Sequence, residues 1–145
     1  MSRPTFHAPM GLQGSGKTTL SRQLAAATGA VHIDLDPIRR RVWPDCPASW
    51  DPHAGRGLVV QRAFEAAVVE QLASGRDVIV DRTNLDPRDI GRLRVIAPDA
   101  RLIVHDLRHV PLELCIARDA ARPRPQRVGE DGIRQLHQRW LAPAR

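Results

Sequence analysis

Lysine is almost missing from this 145-residue chain: 22 residues are lysine or arginine, and only Lys17 is a lysine. Cysteine is scarce too. Cys46 and Cys115 are the two present. They are too few for a disulfide framework and are read as thiols in a reducing compartment. No apolar run approaches the roughly 20 residues that cross a bilayer, which excludes a helical membrane span. The stretch from Met1 to Pro9 has no apolar core of the kind a secretory leader needs. These shortages point to a cytoplasmic chain with no membrane partner. What is present is a 42% hydrophobic composition, enough for the core of one domain over residues 1–145. The net charge is +6 and the pI about 11.0, which favours an anionic partner: a nucleotide, a nucleic acid or a phosphorylated metabolite. A general bias toward Arg and Ala competes with that explanation of the charge. It does not explain why the one lysine sits where it does.

Strand-like and helix-like segments alternate. Residues 5–10 suggest a strand that is polar and carries Pro9, which removes a ladder donor, so a weakened or edge-distorted strand is expected. Residues 17–27 read as a helix closed by Gly29. Residues 30–33 read as a short strand, and Asp36-Pro37 as a helix start with Asp36 as cap. Prolines and glycines make 43–57 a loop. Residues 58–73 have helical apolar spacing, and Val78 to Val80 is an apolar run suited to a central parallel strand. A helix over 87–96, a strand within 101–107, a helix over 111–121, a break over 122–127 and a last helix over 131–141 complete the chain. This alternation predicts an α/β fold, a parallel sheet of about four to five strands with helices on both faces. The ligand then belongs beyond the carboxyl ends of the strands, where the polar clusters 11–18, 34–39 and 81–84 converge.

Gly11-Leu-Gln-Gly-Ser-Gly-Lys-Thr18 matches the phosphate-loop pattern G-x-x-x-x-G-K-[ST] in full. Gly11, Gly14 and Gly16 let backbone N–H groups point at phosphate oxygens, with Ser15, Lys17, Thr18 and Thr19 completing the cradle. The following helix adds its positive end. Lys17 is expected to reach the β- and γ-phosphates of ATP or another nucleoside triphosphate, and Thr18 to ligate Mg²⁺. In a chain that otherwise uses arginine, a compact ammonium at this one position points to a chemical need.

Asp36 follows the second strand and can take a proton from an attacking hydroxyl. Arg39 lies one helical turn on and can hold a phosphate of the acceptor. A helix cap and a solvated charge are the plainer reading of this pair. Asp81, Thr83 and Asn84 follow the apolar strand, where a carboxylate serves as a ligand to metal-bound water and polar neighbours orient an acceptor. An ordinary turn is the alternative there. Arg118 and Arg122 share a helix face before Pro123 and Pro125, the arrangement of an Arg-bearing lid closing over transferring phosphate. A basic surface helix accounts for the same residues. Trp43 and Trp50 are candidates for stacking on a base or for packing the loop.

The blocks Gly11–Thr18, Ile33-Asp-Leu-Asp-Pro-Ile-Arg39, Val80-Asp-Arg-Thr-Asn-Leu-Asp-Pro87 and Val110-Pro111 leading to Arg118 and Arg122 come in an order that resembles the kinase domain of phage and bacterial polynucleotide 5′-hydroxyl kinases. The resemblance spans nearly the whole chain and implies a single-domain P-loop kinase fold. It implies Asp36 as general base and Arg39 on the phosphate next to the 5′-terminal nucleoside. It further implies Arg122 and Arg118 as lid arginines, with Asp81, Thr83 and Asn84 lining the acceptor side. ATP and Mg²⁺ would be the cofactors and a nucleic-acid 5′-OH end the partner. A chain of this length carries no phosphatase or ligase domain, so a kinase-only protein is expected. A P-loop kinase for a metabolite, sugar, nucleoside or antibiotic shares every block except the acceptor contacts. A nucleotide-binding switch without turnover would not need Asp36 or the lid.

Overall fold

The computed structural model describes residues 3–47 and 49–142. Four parallel strands, β1 (Thr5–Met10), β2 (Val31–Asp34), β3 (Val78–Asp81) and β4 (Arg101–Asp106), lie in the order β2-β3-β1-β4. The helices are α1 (Lys17–Thr28), α2 (Leu35–Val42), α3 (Gly55–Ala73), α4 (Pro87–Ile96), α5 (Leu112–Ala120) and α6 (Glu130–Trp140), with a 3-10 turn at Arg124–Gln126.

The polar strand β1 is central, not an edge: it pairs with both β3 and β4. Its alternation explains why it looked weak. Phe6 and Ala8 join Val78, Val80 and Ile33 in a core under Phe64, Val68 and Leu72 of α3 and Leu93 of α4. Thr5 and His7 point to the opposite face, which right-handed crossovers assign to α1. Pro9 is accommodated because the β1–β3 register ends at His7↔Ile79. Beyond it, the Pro9 carbonyl accepts from Asn84 Nδ2 at 2.7 Å, so a side chain replaces the missing ladder. β1 and β3 are the two strands between which the winding of the sheet reverses, and an open α/β sheet places its crevice beyond their carboxyl ends.

Two helix starts differ from expectation by more than one residue. α2 begins at Leu35 and its cap is Asp34, whose Oδ1 accepts from the Asp36 backbone N–H at 3.1 Å; Asp36 is inside the first turn. α3 begins at Gly55, so Gly55 and Gly57 belong to the helix and not to the loop. Gly57 is needed there because a Cβ would strike the Asp51 carbonyl, and the ring of Trp50 also lies against it. A second, smaller core joins Leu12 of the phosphate loop and Leu85 to Cys115 and Ile133 of α5 and α6. The phosphate loop thus rests on α5, the helix that carries Arg118 and that ends just before Arg122.

Candidate active site

The loop from Gly11 to Gly16 joins β1 to α1 with the left-handed turns its glycines allow. Gly14 has φ of 83° and Gly16, the α1 N-cap residue, 101°. A Cβ on Gly14 would strike the Cys115 carbonyl, so only glycine lets the loop lie this close to α5. No side chain caps α1, which leaves its first N–H groups and the positive end of its dipole facing the loop. Ser15 Oγ is buried without a hydrogen-bond partner, an orphaned donor that a phosphate oxygen would satisfy. The cradle therefore fits a polyphosphate on its own geometry. Thr19 lies on the exposed side of the helix start.

Lys17 is buried, and its Nζ donates to the Leu12 carbonyl at 2.8 Å. Burial lowers the ammonium pKa to about 8; the carboxylates of Asp81 and Asp36 oppose that fall, and Arg122 adds to it. Lys17, Asp36, Asp81 and Arg122, drawn from four separate parts of the chain, therefore share one electrostatic neighbourhood.

Thr18 Oγ1 donates to Asp81 Oδ2 at 3.2 Å. The hydroxyl and carboxylate form an all-oxygen donor pair at the mouth of the phosphate loop, which suits Mg²⁺. Asp81 thus lies beside Thr18, at the phosphate loop and not on the acceptor side where it was expected. His32 Nε2 is 2.8 Å from the same Asp81 oxygen. The sequence reading passed over His32. Its signal was period-two spacing from Asp34, which puts both on the α1 face of β2.

Asp36 is 47% exposed, and Arg39 Nε is 3.9 Å from its Oδ1. A half-open carboxylate facing the Lys17 neighbourhood, with a guanidinium one turn behind it, can accept a proton and hold an anion close by. Asp34 is the more enclosed carboxylate. Burial raises its pKa, the Asp36 backbone N–H opposes this, and Asp81 and Asp36 add to the rise.

Asn84 is 1% exposed and has φ of 54°, a conformation that Asn tolerates better than most residues. Its Nδ2 donates to the carbonyls of Pro9, Val80 and Arg82, and its Oδ1 accepts from Arg82 Nε at 2.8 Å. Its amide donors are spent within the protein, beneath the site floor. The Thr83 carbonyl accepts from Gly11 N at 3.1 Å and ties the same turn to the phosphate loop. Arg82 is buried, stacked over Phe64 and bonded to Gln61 and the Asp89 carbonyl.

Arg118 Nη1 donates to the Gly14 carbonyl at 3.3 Å, directly on the phosphate loop. Arg122 is half-buried, with Nη1 3.7 Å from Asp119 Oδ1. Asp119, which the sequence did not mark, and Arg127, expected to be an ordinary surface charge, hold this segment. Buried Asp119 accepts from the backbone N–H groups of Val128 (3.0 Å) and Gly129 (2.9 Å). Arg127 Nε donates to the Arg122 carbonyl at 2.6 Å. Nothing in spacing marks Asp119, since its partners lie nine and ten residues away across a turn.

A family described as AAA domain matches residues 7–144. An uncharacterized protein of Mycobacterium tuberculosis (strain ATCC 25618 / H37Rv) is 33% identical over 107 residues, 68% of this chain and 21% of that protein. The chain therefore spans about a fifth of the length of that curated relative. Among solved structures, the Pnkp1/Rnl/Hen1 RNA repair complex contains a chain with TM-score 0.72 and 21% identity, covering 95% of this chain and 45% of that one. A sugar kinase from Janibacter sp. HTCC2649 gives TM-score 0.67 and 19% identity, covering 98% of this chain and 80% of its own. At these identities the two structures share the fold with this chain.

Proposed function

The chain belongs to this AAA-domain family and has a P-loop kinase fold, and from that premise we propose that it transfers the γ-phosphoryl group of ATP to the 5′-OH of a nucleic acid. The acceptor oxygen attacks the γ-phosphorus in line, the bond to the β,γ-bridging oxygen breaks, and ADP leaves. The hydroxyl proton passes to the Asp36 carboxylate. The phosphate loop and the α1 N-terminus hold the α- and β-phosphates. Lys17 and the lid guanidiniums of Arg122 and Arg118 carry charge to the transferring group, where water is partly excluded. Thr18, with Asp81 behind it, would hold Mg²⁺, which neutralises charge on the β- and γ-oxygens when bound.

The observation that carries the reading is the pairing of half-exposed Asp36 with Arg39 at 3.9 Å. It sets a proton acceptor beside an anion-holding group at the strand end facing Lys17. A 5′-OH on a polynucleotide presents the matching pair, a hydroxyl and the phosphate next in the chain. The buried Asn84 and the turn at Thr83 serve this site as scaffold. The likeness to a chain of an RNA repair complex supports the same acceptor class, and the likeness to a sugar kinase supports the competing one. The test is acceptor competition with wild type and Arg39→Gln. The proposal expects an oligonucleotide and a nucleoside 3′-phosphate to outperform a plain nucleoside, with the advantage lost in Arg39→Gln. Equal use of the plain nucleoside, or preference for a sugar, assigns the chain to the small-molecule kinases.

A further inference from the structure

Among the described residues, two groups of histidine and aspartate side chains bring three ligand atoms within 4.8 Å of one another: His32, Asp34 and Asp81, and His53, Asp86 and Asp89. Their surroundings differ. In the second group the carboxylates already have cations. Arg88 bonds Asp86 through Nε and Nη2, the latter at 2.7 Å, and buried Arg82 lies against Asp89, bonding its carbonyl. A metal ion there would meet guanidinium charge. In the first group, among the described residues, no arginine is bonded to Asp34 or Asp81. Asp34 and Asp81 are register partners on neighbouring strands, so their side chains leave the sheet on one face. His32, two residues before Asp34, leaves on that face too. Two carboxylates are held side by side by the backbone, one of them 4% exposed, and among the described residues the only cation-capable side chain paired with either is His32, 2.8 Å from Asp81.

We propose that His32, Asp34 and Asp81 form a binding site for one divalent transition-metal ion, held on protein ligands before any nucleotide is present. The donor set is one imidazole nitrogen and two carboxylates. Mg²⁺ avoids nitrogen ligands and gives up its waters reluctantly, whereas Mn²⁺, Co²⁺ and Zn²⁺ accept imidazole. An ion at ordinary bond lengths of about 2.0–2.2 Å closes the 4.8 Å span with small side-chain rotations. Three protein ligands leave coordination positions open. Asp34 keeps its capping bond through Oδ1 and ligates through its other oxygen. The site adjoins Thr18 through Asp81, so an ion held there neutralises the carboxylates beside the phosphate loop before an anionic ligand enters.

The probe is Co²⁺ alone, titrated into nucleotide-free protein and followed by its visible absorption. The expected result is one ion per chain, not displaced by a hundredfold excess of Mg²⁺. His32→Gln and Asp34→Asn, each checked for fold by circular dichroism, should weaken binding tenfold or more. Asp34→Asn retains the helix cap, so its loss of binding is not a loss of α2. His53→Gln should bind as wild type does. Absence of Co²⁺ binding without nucleotide, binding that survives both His32→Gln and Asp34→Asn, or binding lost in His53→Gln overturns the proposal. Because no ATP or acceptor is present, the outcome is independent of the transfer assay: Co²⁺ binding with no transfer keeps the metal site and removes the kinase reading.

Discussion

Raising the pH should weaken ATP binding through a single group. In the nucleotide-free protein burial lowers the Lys17 pKa to about 8. Phosphates placed against the ammonium favour its charged form, so the bound state holds the proton to higher pH and binding takes one up. The sign follows directly: affinity is full below about pH 8 and falls as pH rises above it. If the bound form stays protonated, the loss is 1 + 10^(pH − 8), about 11-fold at pH 9 and about 30-fold at pH 9.5. The chain makes this measurement unusually clean. It has no tyrosine and one lysine, and arginine stays charged throughout, so besides the terminal amine only Cys46 and Cys115 can titrate nearby. Calorimetry of a non-hydrolysable ATP analogue in two buffers of different ionisation enthalpy reads both affinity and proton uptake. Lys17→Met should bind weakly and without the slope. The same depressed pKa has a consequence for folding. The unfolded chain binds this proton more tightly than the folded one, so stability should rise, relative to Lys17→Met, as pH increases from 8 to 10.5, by up to about 3 kcal/mol. A wild-type affinity flat from pH 7.5 to 9.5, or an equal slope in Lys17→Met, refutes the assignment of Lys17 to the phosphates.

Asp36→Asn should lower kcat by roughly 10²-fold or more with little change in ATP affinity. Its thermal midpoint should hardly move, because Asp34 and not Asp36 caps α2; the same loss in Asp34→Asn alone would transfer the role of base to Asp34. Arg122→Ala and Arg122→Lys should reduce kcat far more than nucleotide affinity. Exposed Arg124→Ala should have a small, salt-screened effect, and Arg127→Gln an intermediate one, because Arg127 holds the Arg122 carbonyl; three equal, salt-sensitive losses measured at two ionic strengths would reduce the lid to a basic surface. Asn84→Ala should destabilise the fold by about 2–4 kcal/mol in urea denaturation, since it strands buried carbonyls of Pro9 and Val80 and an arginine; a change below about 0.5 kcal/mol would contradict its role as the clamp between β1 and β3.

The residues that could be read from the sequence were those whose chemistry depends on local spacing. The phosphate loop, the Gly29 stop of α1 and the Asp86-Pro87 start of α4 are set within a few residues, and the structure has the corresponding elements. Long-range partners decided the rest. β1 looked weakened or edge-distorted because Thr5, His7 and Pro9 are poor strand residues in isolation. It is central because it pairs with both β3 and β4, and a side chain 75 residues away bonds the Pro9 carbonyl where the β3 ladder ends. Asp36-Pro37 imitates a cap and N1 pair, yet the residue two positions earlier has its oxygen on the free N–H. Gly55 and Gly57 read as loop, since helix propensity cannot register that Asp51 must pass where a Cβ would stand. In the site, Asp81 is joined to Thr18 and His32 across 63 and 49 residues, a relation fixed by strand order alone.

The most direct test of the central claim is one transfer assay with γ-labelled ATP, offered a 5′-OH oligonucleotide alongside a panel of sugars and nucleosides, with wild type and Asp36→Asn. The account predicts label on the 5′ end of the oligonucleotide, little on the panel, and near-complete loss in Asp36→Asn. Label that appears on a sugar or nucleoside in preference to the oligonucleotide, or that appears on no hydroxyl at all while ATP still binds, contradicts it.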